Sequence, residues 1–349
     1  MSTTISPTAA QAHPSKPRSR LRAWVMGGLV GLVATVVMLG GIGAVFQAIG
    51  ARSDLRKFSP PGQFVDLDGR RIHLLVMGNE TGKPTVILDA GIGSFSSNWA
   101  WVQSELAAAT RVVAYDRAGL GWSDPAPEPQ DAQQSAKDLH AALQKAGIPG
   151  PYVIAGHSYG GLVVRAFADL YPQNVTGMVL VDASHPDQWT HIPASKGGRT
   201  VAIGNRITGI LVRLGIVRLF DMNASLIAGL PERQAGEMKT FLTRPQAWST
   251  SSGVLGIWEA RTRAQINQAR KLGDLPLAVL SVSEQALYAE VLTRLQGELP
   301  TLSSNSIHWT VEGATHESLT NRREHALIVV DAILQVVEAA QTGVPLAAK

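Results

Sequence analysis

Two hydrophobic periods alternate along most of this chain. Short, mostly apolar runs at 85–88, 111–115, 152–155, 175–181, 277–282 and 306–311 read as buried strands. Between them, spacings near 3.6 residues predict helices around 99–108, 132–146, 162–170, 286–295 and 324–337. Strand followed by helix, repeated, is the signature of a mainly parallel sheet with helices on both faces. The start differs, because Phe64-Val65-Asp66-Leu67 and residues 71–76 flank Asp68-Gly69, a strong hairpin signal that predicts two antiparallel strands. Residues 186–272 also break the alternation. There Ile207, Ile210, Leu211, Leu214 and Val217 have helical spacing and Trp189, Trp248 and Trp258 punctuate the rest, which predicts a mainly helical insertion.

The N-terminal segment follows neither period. Residues 23–51 form a run of 29 without a formal charge, among them Val30, Leu32, Val33, Val36, Val37, Leu39, Val45 and Phe46. A bilayer core needs about 20 apolar residues in a helix, so this run can span one. A cleaved signal peptide is the alternative, since Ala48-Ile49-Gly50 offers a small-x-small site, but a signal's apolar region is typically only about 7 to 15 residues. We therefore read 23–51 as an uncleaved, single-pass membrane anchor. Lys16, Arg18, Arg20 and Arg22 precede it, whereas Arg52, Arg56 and Lys57 follow with Asp54 partly offsetting them, so the positive-inside rule places the body outside the cytoplasm. Residues 1–22 read as a disordered basic tail, 52–62 as a linker ending in Ser59-Pro60-Pro61-Gly62, and 341–349 as a C-terminal tail. Gly27 and Gly31 have the spacing that lets two membrane helices approach, but in so glycine-rich a segment it also arises incidentally, and the oligomeric state stays open.

Charge changes the picture little. The net charge of +4 belongs to the tail, because beyond residue 22 the basic and acidic residues number 27 each, so nothing points to a nucleic-acid partner. The absence of cysteine removes disulfides, thiolate metal sites and cysteine nucleophiles together.

The chemistry centres on Gly156-His157-Ser158-Tyr159-Gly160, set between the apolar run 152–155 and the helical pattern starting at Leu162. A strand-to-helix turn of this kind exposes a serine as a nucleophile, and glycines two residues either side relieve its crowding. Serine needs a base and a carboxylate to orient that base.

The strand and helix order, the serine elbow, a late histidine and the segment Asp116-Arg117-Ala118-Gly119-Leu120-Gly121-Trp122-Ser123 resemble the α/β-hydrolase superfamily over residues 63–340. The resemblance implies a mainly parallel eight-stranded sheet, a core of 63–185 and 273–340, and a helical cap at 186–272. It also implies that the base is His316, in the loop after the last strand, since that loop delivers the base to the edge where Ser158 emerges. The remaining histidines fall in the tail, in strand or helix patterns, in the insertion or beside the serine. In many relatives the acid follows the seventh strand, where this chain has Ser281-Val282-Ser283-Glu284-Gln285 and no aspartate. Asp182, at the end of the sixth strand, matches the position used by haloalkane dehalogenases, and Glu284 lies near the commoner place. Asp182 as a structural end-of-strand residue and Glu284 as a helix-start residue are the competing readings. The oxyanion hole implied by the resemblance is the backbone N–H of Tyr159 and of Ile92, although Ala90-Gly91 stands where many relatives have His-Gly.

The expected function is hydrolysis of a carboxylic ester or related acyl bond through an acyl-enzyme on Ser158, with a small, apolar acyl substrate and no cofactor or metal. Carbon–carbon bond hydrolysis, amide or aminopeptidase cleavage and acyl transfer use the same triad, and some members of this fold only bind.

Overall fold

The computed structural model describes residues 18–283 and 288–346. Eight strands form one sheet: β1 (Gln63–Leu67), β2 (Arg70–Met77), β3 (Thr85–Asp89), β4 (Val112–Tyr115), β5 (Tyr152–His157), β6 (Val175–Val181), β7 (Leu277–Val282) and β8 (Ser306–Val311). Their order across the sheet is β1-β2-β4-β3-β5-β6-β7-β8. The Asp68-Gly69 turn makes β1 and β2 antiparallel, β2 pairs antiparallel with β4, and every later pairing is parallel. Every residue of β3, β4, β5 and β7 is buried, as parallel strands covered on both faces must be.

Four helices supply that cover. On one face lie Ala132–Lys145 and Gly160–Leu170; on the other lie Ala100–Leu106 and Arg323–Thr342. Helix Ala132–Lys145 illustrates how sequence sets the limits. Asp131 caps it by accepting a hydrogen bond from the Gln134 N–H at 2.9 Å, Leu139, Ala142 and Leu143 face the sheet, and Gly147 ends it at φ +67°. Helix Arg323–Thr342 is apolar enough to cross a membrane, yet Ala326, Val329, Ile333 and Val336 bury their side chains in the core, so it is part of the protein interior. Burial of each of the three larger side chains, Val329, Ile333 and Val336, contributes about 1.5–3 kcal/mol.

Between β6 and β7 the chain is helical, from Gln188–His191 to Arg263–Gln268, with Gly198–Arg213 packed on Pro245–Ile257. Phe95 and Leu120 of the sheet's loops join Leu230, Met238, Phe241 and Leu242 of this insertion in one cluster.

The N-terminal helix runs from Arg18 to Lys57, so residues 18–22 and 52–57, expected as tail and linker, are helical. Interactions on its last turns explain the extension: Asp54 pairs with Arg218 at 2.7 Å, and Phe58 packs on Gly236. The C-terminal helix likewise reaches Thr342, into the expected tail. The helix expected from residue 286 is Ala289–Glu298 in the structure.

Candidate active site

Ser158 sits between β5 and helix Gly160–Leu170 with φ +54°, a conformation costly for a non-glycine residue. The surrounding turn enforces it. A Cβ on Gly156 would lie 2.5 Å from the Gly160 carbonyl, and one on Gly160 would lie 2.3 Å from the Asp89 oxygen, so neither position has room for a side chain. The Ser158 N–H donates to the Val181 oxygen at 3.2 Å, and its carbonyl accepts from Ser184 at 2.9 Å. These bonds tie the serine to the end of the neighbouring strand, where Asp182 stands at φ +38° and its own N–H donates to Leu280 at 2.7 Å. Two strained residues thus occupy adjacent strand ends.

His316 lies in the loop after β8. The Gly313 N–H donates to Ser283 Oγ at 2.9 Å, which holds that loop over the end of β7 and carries His316 back towards β6. His316 Nδ1–H then donates to Asp182 Oδ2 at 2.5 Å. Burial works against protonation of His316, but the hydrogen bond and charge of Asp182, with Glu317 nearby, outweigh it and hold its pKa above the ordinary histidine value. The carboxylate therefore fixes which ring nitrogen carries the proton and leaves Nε2 free to accept one. Glu284 lies outside the described residues.

His157 is the unforeseen contributor. Its Nε2–H donates to the His316 carbonyl at 3.0 Å, and the two rings are 4.5 Å apart. Burial, reinforced by His316, pushes its pKa down to about 3, so it stays neutral and supports the loop that carries His316. A histidine beside the serine was visible in the sequence, but its partner 159 residues away was not. Other histidines are engaged elsewhere: His73 on Asp116, His140 stacked on Tyr171, His308 on Ser281 and His325 on Ser318.

The loop after β3 passes beside the serine, since a Cβ on Gly91 would lie 3.5 Å from Ser158 Oγ. Among the described residues, no hydrogen bond takes up the Ile92 or Tyr159 backbone N–H. The support that a histidine gives in many relatives is supplied here by Arg117, whose buried guanidinium donates to the Ala90 and Gly91 carbonyls and pairs with Asp89. Tyr115 donates to the same carboxylate at 2.7 Å. Arg117 was visible only as part of the Asp116–Ser123 segment; its role depends on a contact between two loops.

Ser158, Asp182, His316 and Ile92 line one cavity of about 810 Å³, whose lining also includes Trp189, Leu226, Met238 and Trp248 of the insertion. Its volume suits a small organic ligand.

Comparisons with known proteins agree with this architecture. The model of the alpha/beta hydrolase fold matches residues 84–199. The chain is 34% identical to RutD of Cronobacter turicensis, a proposed carbamate hydrolase, over 247 residues that cover 69% of this chain and 81% of that protein. A thermophilic esterase from Thermogutta terrifontis superimposes with a TM-score of 0.60 at 20% identity, covering 80% of this chain and all of that one (100%). A membrane phospholipase A described as a bacterial virulence factor gives a TM-score of 0.57 at 19% identity, covering 91% of this chain and 99% of that one. The chain spans only 19% to 53% of the length of four other curated relatives that it matches. On the fold and on the RutD match, this chain belongs to the α/β hydrolase family.

Proposed function

We propose that the protein is a serine hydrolase that cleaves a carboxylic ester through an acyl-enzyme on Ser158. The observation that carries this reading is the hydrogen bond from His316 to Asp182 on the wall of the cavity that also holds Ser158. In the reaction His316 Nε2 takes the Ser158 proton as Oγ attacks the acyl carbon, and the alkoxide of the tetrahedral intermediate is stabilised by the Ile92 and Tyr159 N–H groups. His316 then protonates the departing alcohol, and a water activated by the same nitrogen releases the acid. Asp182 keeps the imidazole oriented throughout. The inserted helices 186–272 act as a cap, and their apolar lining favours an apolar acyl group.

Turnover of p-nitrophenyl esters of graded chain length, followed against pH, tests the assignment. The base must be unprotonated, and its pKa is raised, so kcat/KM should fall as pH drops through a midpoint above the ordinary histidine value of about 6.5. Residual activity in Asp182→Asn should have its midpoint at lower pH. Failure to cleave any ester, with turnover of amino-acid amides, would move the assignment to a peptidase.

The helix Arg18–Lys57 acts in this reading as a retained anchor. Buried Gln47 donates to the Thr243 carbonyl at 2.5 Å and accepts from Arg218 at 3.1 Å, contacts that cleavage after Gly50 would remove. N-terminal sequencing of the mature, carbonate-resistant protein should find residues 23–49 present. A soluble form beginning near Ala51 would identify a signal peptide instead.

A further inference from the structure

The helix Gly198–Arg213 has two apolar faces, and only one of them serves the cavity. Val201 and Asn205 line the cavity, whereas Ile203, Ile207, Ile210 and Leu214 form a stripe about half a turn away that points outward. The three isoleucines are 53–55% exposed, and just beyond the stripe Leu219, Phe220 and Met222 are 53–70% exposed. Such a patch on a water-facing surface marks an interaction site. Its surroundings identify the occupant. Leu214, the last residue of the stripe, lies against the N-terminal helix, where a Cβ on Gly43 would come 2.1 Å from its oxygen and one on Gly40 would come 3.5 Å from its Cδ2. From there towards the N-terminus that helix is exposed, apolar and long enough to cross a membrane. The stripe and the span therefore form one continuous apolar surface. Its charge is mostly of one sign as well: residues 198–222 contain Arg199, Arg206, Arg213 and Arg218 against Asp221, with Arg218 paired to Asp54 and Asp221 to Lys239. An apolar stripe edged by arginines is the pattern of a helix lying in the headgroup region of an anionic bilayer.

We propose that this outer face beds in the surface of the bilayer that the N-terminal helix enters, so that the acyl ester reaches Ser158 from the membrane. The substrate part rests on the ester hydrolase reading above, and the docking part rests on the retained anchor alone. Val201 lines the cavity from the inner face of the helix whose outer face carries the stripe. The same helix thus separates lipid from the substrate chamber.

Because the chain has no cysteine, single labels can be placed at will. The full chain carrying a fluorophore on Ile207→Cys or Phe220→Cys would be reconstituted in vesicles of equal parts phosphatidylcholine and phosphatidylglycerol. Both labels should be quenched by nitroxide attached to lipid chains and shielded from iodide, while a control label at Glu338→Cys, on an exposed turn of the last helix, should show the reverse. Iodide quenching of the patch labels equal to that of the control would overturn the proposal. So would shielding that disappears in nanodiscs holding one copy, because the occupant would then be a second chain. The double variant Ile207→Glu/Phe220→Glu should lower hydrolysis of the vesicle phospholipids by about tenfold or more and leave p-nitrophenyl butyrate turnover unchanged. Equal losses on both substrates would contradict entry from the membrane. Inactivity of the unmodified protein on every ester would remove the ester reading, and the quenching would still decide the docking face.

Discussion

Replacing Ser158 with alanine should lower ester turnover by about a millionfold, the scale seen when a serine protease loses its nucleophile. The hydroxyl is the atom that forms the acyl bond, and no neighbouring group can replace it. His316→Gln should be nearly as damaging, because serine and histidine form one proton-transfer unit; for the same reason the double variant should be little worse than either alone. Ser158 is held by backbone bonds to Val181 and Ser184 rather than by its side chain, so the alanine variant should keep its fold. Undiminished turnover in folded Ser158→Ala would end the mechanism.

The second large effect concerns Asp182. Asp182→Asn preserves shape but replaces the acceptor that orients His316, which in a serine protease costs about ten thousandfold by favouring the wrong tautomer. We expect a loss of that order here, with Glu284→Gln costing little. A short carboxylate at the end of a buried strand is already nearly fixed, so less conformational entropy is lost in holding it against the histidine. An aspartate with only a structural role would lower thermal stability and leave turnover per folded molecule almost normal. An active Asp182→Asn beside a crippled Glu284→Gln would reverse the assignment.

The parts of the fold that depend on local pattern were legible in the sequence. Buried parallel strands leave continuous apolar runs, and Gly156 follows from crowding within a single turn, whereas Gly160 also abuts the Asp89 carbonyl of β3. The family resemblance then pointed to His316 and left two acids open, since sequence separation alone cannot say which strand end the histidine loop crosses. The structure brings that loop to Asp182 by way of Ser283 and Gly313. What the pattern could not carry was contact between distant segments. Arg52, Asp54, Arg56 and Lys57 looked like the charged end of a span and the start of a linker, yet the helix continues through them because Asp54 meets Arg218. Helix Gly160–Leu170 begins two residues earlier than expected, because Gly160 and Gly161 are poor helix formers on their own and the elbow forces their conformation. Arg117 beneath Ala90 and Gly91, and His157 beneath His316, belong to the same class of long-range support.

The central claim, a base-activated nucleophile at Ser158, is tested most directly by treating the full-length protein with a fluorophosphonate and locating the adduct by peptide mass mapping. The account predicts a single modification on the peptide containing Ser158, lost in Ser158→Ala and strongly slowed in His316→Gln. Modification of another residue, or none in a protein that still hydrolyses esters, would contradict it.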